Sequence, residues 1–179
     1  MKPINKTIRV FAPASSANLG CGFDVMGMAL DGIGDVLRIA ISEGDGLTIR
    51  NTSAAELPED IEKNVITPAV RAFMAAAGKK ACLEIVVEKK IRPGSGIGSS
   101  AASSAAAVFG LNELYGRPFP LPELVPFAME GEKLISGTAH ADNSAPAVMG
   151  GIVLIRGYQP LDMVRLPVPD SFCFSVIHP

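Results

Sequence analysis

Cysteine is scarce in this sequence: Cys21, Cys82 and Cys173 are the three among 179 residues. Their separations match no metal-ligand pattern and their odd number leaves no full pairing. That argues against a thiolate metal site or a disulfide framework and favours a reducing cytoplasm. An excess of charge of one sign is lacking too. Lys and Arg number 16 against 18 Asp and Glu, a net charge of −2, so no basic footprint for nucleic acid is visible. Long hydrophobic runs are missing: the most apolar stretch, residues 101–111, is short and laced with serine, which excludes a membrane span. No signal-peptide pattern precedes the first predicted strand, so a cytoplasmic location is expected. No internal repeat is present, and the alanine–serine stretch is the one low-complexity segment. What remains is an ordinary globular composition, 48% apolar and 19% charged, long enough for one domain with a substantial core.

The most informative stretch is Pro93-Gly94-Ser95-Gly96-Ile97-Gly98-Ser99-Ser100-Ala101-Ala102-Ser103-Ser104. A β-branched run before it, 83–88, predicts a strand, and the alanine-rich, proline-free 101–114 predicts a helix. Alternating glycines let the backbone curl with its N–H groups inward. Ser99 and Ser100 fall at the helix start, where unpaired N–H groups and the helix dipole favour an anion. The pattern fits a phosphate cradle; it also fits a tight turn with a serine N-cap. No Lys follows the last Gly, so it is not a Walker A loop, and the glycine spacing does not match a dinucleotide fingerprint. Lys89, Lys90 and Arg92 beside it read as solvated strand-end charges, with steering of a polyphosphate as the alternative.

Elsewhere, a first strand is predicted over 7–11. The loop after it, 13–24, is small, polar and glycine-bearing; Asn18 and Asp24 suit either an Asx-type turn or a small polar ligand. Residues 25–30 and 36–41 predict two short strands joined by a hairpin at Asp31-Gly32-Ile33-Gly34, and 47–50 a weaker one. Val65, Ile66, Ala69, Val70, Phe73 and Met74 recur at helical spacing, predicting a helix over 64–77 that stops at Gly78. Another helix opens at Pro122 and is expected to end near Glu130-Gly131-Glu132. Those carboxylates suit solvent or, for one of them, a hard cation such as Mg²⁺. Residues 136–143 read as a third unusual loop. In it His140, one of two histidines, lies two residues from Asp142 and suits a structural hydrogen bond or a catalytic pair. Residues 152–155 and 161–166 predict strands. Residues 172–177 predict an apolar closing strand, whose free edge would invite pairing into a homodimer.

Three segments together resemble the GHMP small-molecule kinases and, within them, the homoserine kinases. They are Pro13-Ala14-Ser15-Ser16-Ala17-Asn18-Leu19-Gly20 with Phe23-Asp24, the glycine loop from Pro93 to Ser104, and His140-Ala141-Asp142-Asn143 with Gly150-Gly151. Order and separations fit across essentially the whole chain. The resemblance implies an α+β fold, the N-terminal domain of that family, built as a two-layer sandwich with a left-handed βαβ unit. That hand runs against the usual rule. It also implies ATP-dependent phosphorylation of the hydroxyl of L-homoserine, with ATP and Mg²⁺ as cofactors. A mevalonate- or sugar-type kinase of the same superfamily, and a nucleotide-binding module without catalysis, are the alternatives.

Carried over position by position, Pro93, Gly94, Ser95, Gly96, Ile97, Gly98, Ser99, Ser100 and Ala101 would wrap the phosphates. Asn64 would lie near the adenine, and Ser100 and Glu132 would hold Mg²⁺. Asn18, Asp24, His140 and Asp142 would bind homoserine. Asn143 stands where related kinases place an aspartate near the attacking hydroxyl. The chemistry agrees, because an amino acid needs carboxylates for its ammonium and donors for its carboxylate. Phosphoryl transfer is mostly positioning and charge neutralisation, so direct transfer without a dedicated base is expected. Cys21 departs from the proline usual in the family. The second α+β domain that homoserine kinases carry is not represented, so residues 1–179 are expected to be the N-terminal, ATP-binding domain, truncated before it.

Overall fold

The strand β2 (Met26–Ser42) is the frame of the computed structural model, which describes residues 6–55, 57–169 and 171–177. One edge of β2 carries β1 (Lys6–Ala17), antiparallel. The other edge carries β4 (Cys82–Glu88) along residues 36–42 and β5 (Ile152–Tyr158) along residues 26–28. Outermost, β3 (Gly46–Asn51) runs parallel to β4 and β6 (Leu161–Leu166) antiparallel to β5. Inward residues such as Val10, Leu37, Ile39, Ile85 and Val87 are buried. Outward residues form exposed ion pairs, Arg9–Glu88 and Arg50–Glu84, each of little energetic weight. Four helices lie on the apolar face: α1 (Ile66–Ala76), α2 (Ser99–Leu114), α3 (Leu121–Ser136) and α4 (Ala141–Met149). The result is the expected α+β sandwich of two layers, with α1 crossing between the parallel neighbours β3 and β4.

Helix α2 sits at the centre. Twelve of its 16 residues are buried, and a helix that is apolar on all sides belongs in a core. Its small side chains permit close approach. A methyl at Gly110 would come within 2.6 Å of Ile39, and one at Gly131 of α3 within 2.2 Å of Ser104 and 2.6 Å of the Val65 carbonyl. Phe73, wholly buried, packs edge-on against Phe119 and Phe127 at ring separations of 5.5 and 5.7 Å. Those contacts fix α1 against α3.

Several expectations need correction. The two strands and hairpin over 25–41 are one strand. Residues 30–33 of β2 face the single residue Ala14 of β1, so Gly32 is absorbed in a bulge instead of reversing the chain, and Gly34 pairs with Pro13. Helix α3 does not end at Glu130-Gly131-Glu132 but runs on to Ser136, because Gly131 is the point where it presses on α1 and α2. The third loop is half helix: Asp142 and Asn143 lie in the first turn of α4. Residues 172–177 are exposed and irregular, with no ladder partner among the described residues. An apolar sequence forms a strand only where a ladder partner satisfies its backbone, so the strand edge expected to pair with a second copy is not formed. The two residues after them lie outside the described residues. No helix among the described residues is long and apolar enough to cross a membrane.

Candidate nucleotide and substrate site

The glycine loop leads from β4 into α2 with Gly94, Gly96 and Gly98 at φ of +77°, +75° and +64°. All three sit in the left-handed region that side chains resist. Gly98 is the N-cap of α2, and no side chain caps the helix. The expected serine N-cap is therefore not formed among the described residues, and the first N–H groups of α2 carry no side-chain cap. They open on a cavity of about 460 Å³, in whose wall lie Pro93, Gly94, Gly96, Gly98, Ser99 and Ser100. Ser95, Ile97 and Ala101 are not in that wall. Ile97 packs against the core and its carbonyl accepts the Ser15 N–H at 3.2 Å; Ala101 is buried in α2. The Ser95 hydroxyl oxygen is buried with no hydrogen-bond partner among the described residues.

Glu132 reaches the same cavity from α3 and receives a hydrogen bond from Ser100. Burial pushes the Glu132 carboxyl above the usual carboxylate range, and the nearby Asp142 charge adds to this. The Ser100 hydrogen bond and the Lys89 charge oppose it. A buried carboxylate and a hydroxyl side by side suit a hard cation. Among the described residues no group of three or more His, Cys, Asp or Glu could hold a metal, so a cation here would need further oxygen ligands, from water or from a bound molecule. Asn64 is buried at the cavity edge, where its Oδ1 accepts the Ile66 N–H at 3.0 Å and starts α1.

Lys89 is not a solvated strand-end charge. It is buried in an ion pair with Asp35 and also donates to the Ser99 carbonyl at 2.5 Å and Ser103 Oγ at 2.8 Å. Burial pulls Lys89 below the ordinary lysine range, against the pull of Asp35. Lys90, by contrast, is exposed.

A second group of residues lies beside the cavity. Asn18 and Asp24 both take left-handed backbone, φ +59° and +58°, and Asn18 Oδ1 accepts the Asp24 N–H at 2.7 Å. The bond spans six residues, so it is not the expected Asx-type turn, which closes over two; it ties the ends of the loop together, and the Asp24 carboxylate lies 3.2 Å from His140 Nδ1. Asp142 is buried at the start of α4, and burial pushes its carboxyl up, opposed by its hydrogen bond with the Asn143 N–H. Glycine is required at position 27, since a methyl there would fall 1.7 Å from the Asp142 carbonyl oxygen. Asn143 links the two groups: its Oδ1 accepts Ser15 Oγ at 2.9 Å, and its side chain lines the cavity.

Two residues of this site were not singled out in the sequence. Ser15, at the bulge of β1, touches both the glycine loop and α4. Tyr158, at the end of β5, donates its hydroxyl to the Asp24 carbonyl at 2.8 Å and accepts the Ala141 N–H at 3.2 Å. Ser15 lies within the segment Pro13 to Gly20 but carries no expected role there, and no local pattern marks Tyr158. The signal was available only as their distance in space from Asn143 and Asp24.

Comparison with known proteins agrees with this geometry. The family described as GHMP kinases N terminal domain matches residues 64–151, from Asn64 through the glycine loop to Gly151. The homoserine kinase of Natronomonas pharaonis is 49% identical over 149 residues, 83% of this chain and 49% of that protein. The chain belongs to the GHMP kinases. Among other members, the homoserine kinase of Chlorobium phaeovibrioides is 44% identical over 186 residues, 97% of this chain and 58% of that protein. The crystal structure of homoserine kinase from Cytophaga hutchinsonii superposes with a TM-score of 0.84 at 47% identity, over 91% of this chain and 52% of that one. A mevalonate kinase structure from Methanococcus jannaschii, at 17% identity and a TM-score of 0.69, shares the fold. This GHMP kinase chain spans about half the length of the relatives it matches.

Proposed function

We propose that the chain is the nucleotide-binding part of a kinase that transfers the γ-phosphate of ATP to the hydroxyl of L-homoserine. The observation that carries the reading is the uncapped N-terminus of α2, ringed by left-handed glycines and facing a cavity where Ser100 is hydrogen-bonded to Glu132. The backbone from Gly94 to Ser100 binds the phosphates, and Asn64 lies near the adenine. Ser100 and Glu132 hold Mg²⁺, which when bound neutralises phosphate charge. The raised proton affinity of Glu132 fits a carboxylate that waits for a cation.

Asp24 and Asp142 bind the homoserine ammonium, and Asn18 and His140 supply hydrogen bonds. Their juxtaposition supports an amino-acid substrate over a neutral alcohol, as does the identity to chains named homoserine kinase. Asn143 orients the acceptor hydroxyl. An amide takes no proton, so the hydroxyl oxygen forms its bond to phosphorus as the bond to the ADP leaving oxygen breaks, and the hydroxyl proton passes to phosphate oxygen or water. Direct transfer of this kind relies on positioning and electrostatics.

Calorimetric titration with Mg-ATP, then with L-homoserine, tests the reading. Nucleotide binding that Ser100→Ala weakens supports it, and homoserine binding on top places the acceptor site in this chain. A folded chain that binds neither overturns it.

A further inference from the structure

The ion pair between Asp35 and Lys89 is buried at the root of the glycine loop. Asp35 Oδ1 accepts the N–H groups of Lys90 and Ile91, each at 3.0 Å, where the chain enters the loop. Lys89 Nζ donates to the Ser99 carbonyl at 2.5 Å and to Ser103 Oγ at 2.8 Å, where it leaves. Ser103 donates its own proton to Asp35 Oδ2 at 3.0 Å. Ser99 Oγ closes the two ends by donating to the Ile91 carbonyl at 3.1 Å. All three ammonium donors are therefore used inside the protein, on Asp35, Ser99 and Ser103. A cation with no free donor is poorly placed to bind phosphate. It is well placed to hold two backbone segments together.

We propose that Asp35 and Lys89, with Ser103, form a positioning clamp that pre-organises the glycine loop and the first turn of α2 for the nucleotide phosphates without touching them. The proposal rests on the nucleotide-binding reading above. Three left-handed glycines give the loop many conformations to lose. Fixing its ends beforehand removes that ordering cost from binding. Burying a charged pair costs desolvation, and here the cost falls where precision of the backbone matters most.

The test is calorimetric titration of Mg-ATP into wild type, Asp35→Asn, Ser103→Ala and the double variant Asp35→Leu/Lys89→Met. Hydrogen exchange of the loop amides 94–100 is read alongside, without nucleotide. The double variant replaces the pair by apolar groups and guards against loss of folding. The sign of the Asp35→Asn effect decides between roles. If Lys89 bound phosphate, freeing it from Asp35 would tighten Mg-ATP binding and overturn the clamp. As a clamp, its loss weakens binding by about tenfold or more, as outer-shell partners do at other sites. Loop amides then exchange faster while those of β2 and β4 keep their protection, which a general loss of stability would not produce. Folded Ser103→Ala and double variants that bind like wild type would also overturn it. A wild-type chain that binds no Mg-ATP would overturn the nucleotide reading and the proposal with it, whereas binding that survives every variant removes the clamp alone.

Discussion

Replacing Gly98 by alanine separates the two demands the loop makes on its glycines. At Gly96, with φ of +75°, an added methyl meets nothing within 4 Å. There the cost is conformational: about 1–2 kcal/mol for an L residue in left-handed backbone. It is partly offset by about 0.4–1 kcal/mol from the reduced freedom of the unfolded chain. Gly96→Ala is therefore expected to lose about 0–1.6 kcal/mol. At Gly98 the same backbone term applies, and the methyl would also fall 2.0 Å from Ser15 Oγ and 3.0 Å from Asn143 Oδ1. Ser15 must rotate away, breaking its hydrogen bond to Asn143. A partly buried acceptor left without its donor costs about 1–3 kcal/mol more. Gly98→Ala should accordingly lose about 2–4 kcal/mol in urea denaturation, well beyond Gly96→Ala. It should also lose nucleotide binding, because Ser15 is the contact between the loop and α4. Equal stability of the two variants, or a Gly98→Ala chain that binds Mg-ATP like wild type, would refute the claim that steric closure at Ser15 sets this loop.

Two further outcomes follow from the site. Because burial raises the Glu132 carboxyl above its unfolded value, the folded state binds the extra proton in the window from the ordinary carboxylate range up to that raised value. Stability is fully present below this window and falls as pH rises through it. Glu132→Gln should flatten that fall and stabilise the metal-free chain at neutral pH in urea melts, while Mg-ATP binding weakens about tenfold or more; a variant less stable than wild type at neutral pH contradicts the burial argument. Tyr158→Phe removes the hydroxyl that joins Asp24 to Ala141. It should cost about 1 kcal/mol of stability and weaken homoserine binding with nucleotide affinity unchanged, which parallel titrations would show.

The expectations that held are those that depend on neighbours in the chain. The succession of β-branched strand, alternating glycines and alanine-rich helix was legible as β4, loop and α2, because strand propensity, left-handed turns and helix initiation act over a few residues. The apolar stripe of α1 was legible for the same reason.

What failed depended on partners far away in sequence. The glycines at 32 and 34 favour a turn locally, yet β1 pairs on both sides of residues 30–33, Gly34 included, and makes β2 one bulged strand. Glu130-Gly131-Glu132 looks like a helix end until the packing of Gly131 on Val65 and Ser104 is known; continuing the helix is what brings Glu132 to Ser100. Lys89 carries the charge of a surface residue, and the burial of Asp35, 54 positions away, makes it an internal strut.

The sequence alone thus determined the glycine-loop segment and the residue types available to it, because those are properties of local backbone freedom and side-chain chemistry. The tertiary structure decided which carboxylates and donors converge. Ser15 and Asn143 stand 128 residues apart and Tyr158 and Asp24 134 apart, and contacts of that range are set by the packing of a whole sheet and its helices.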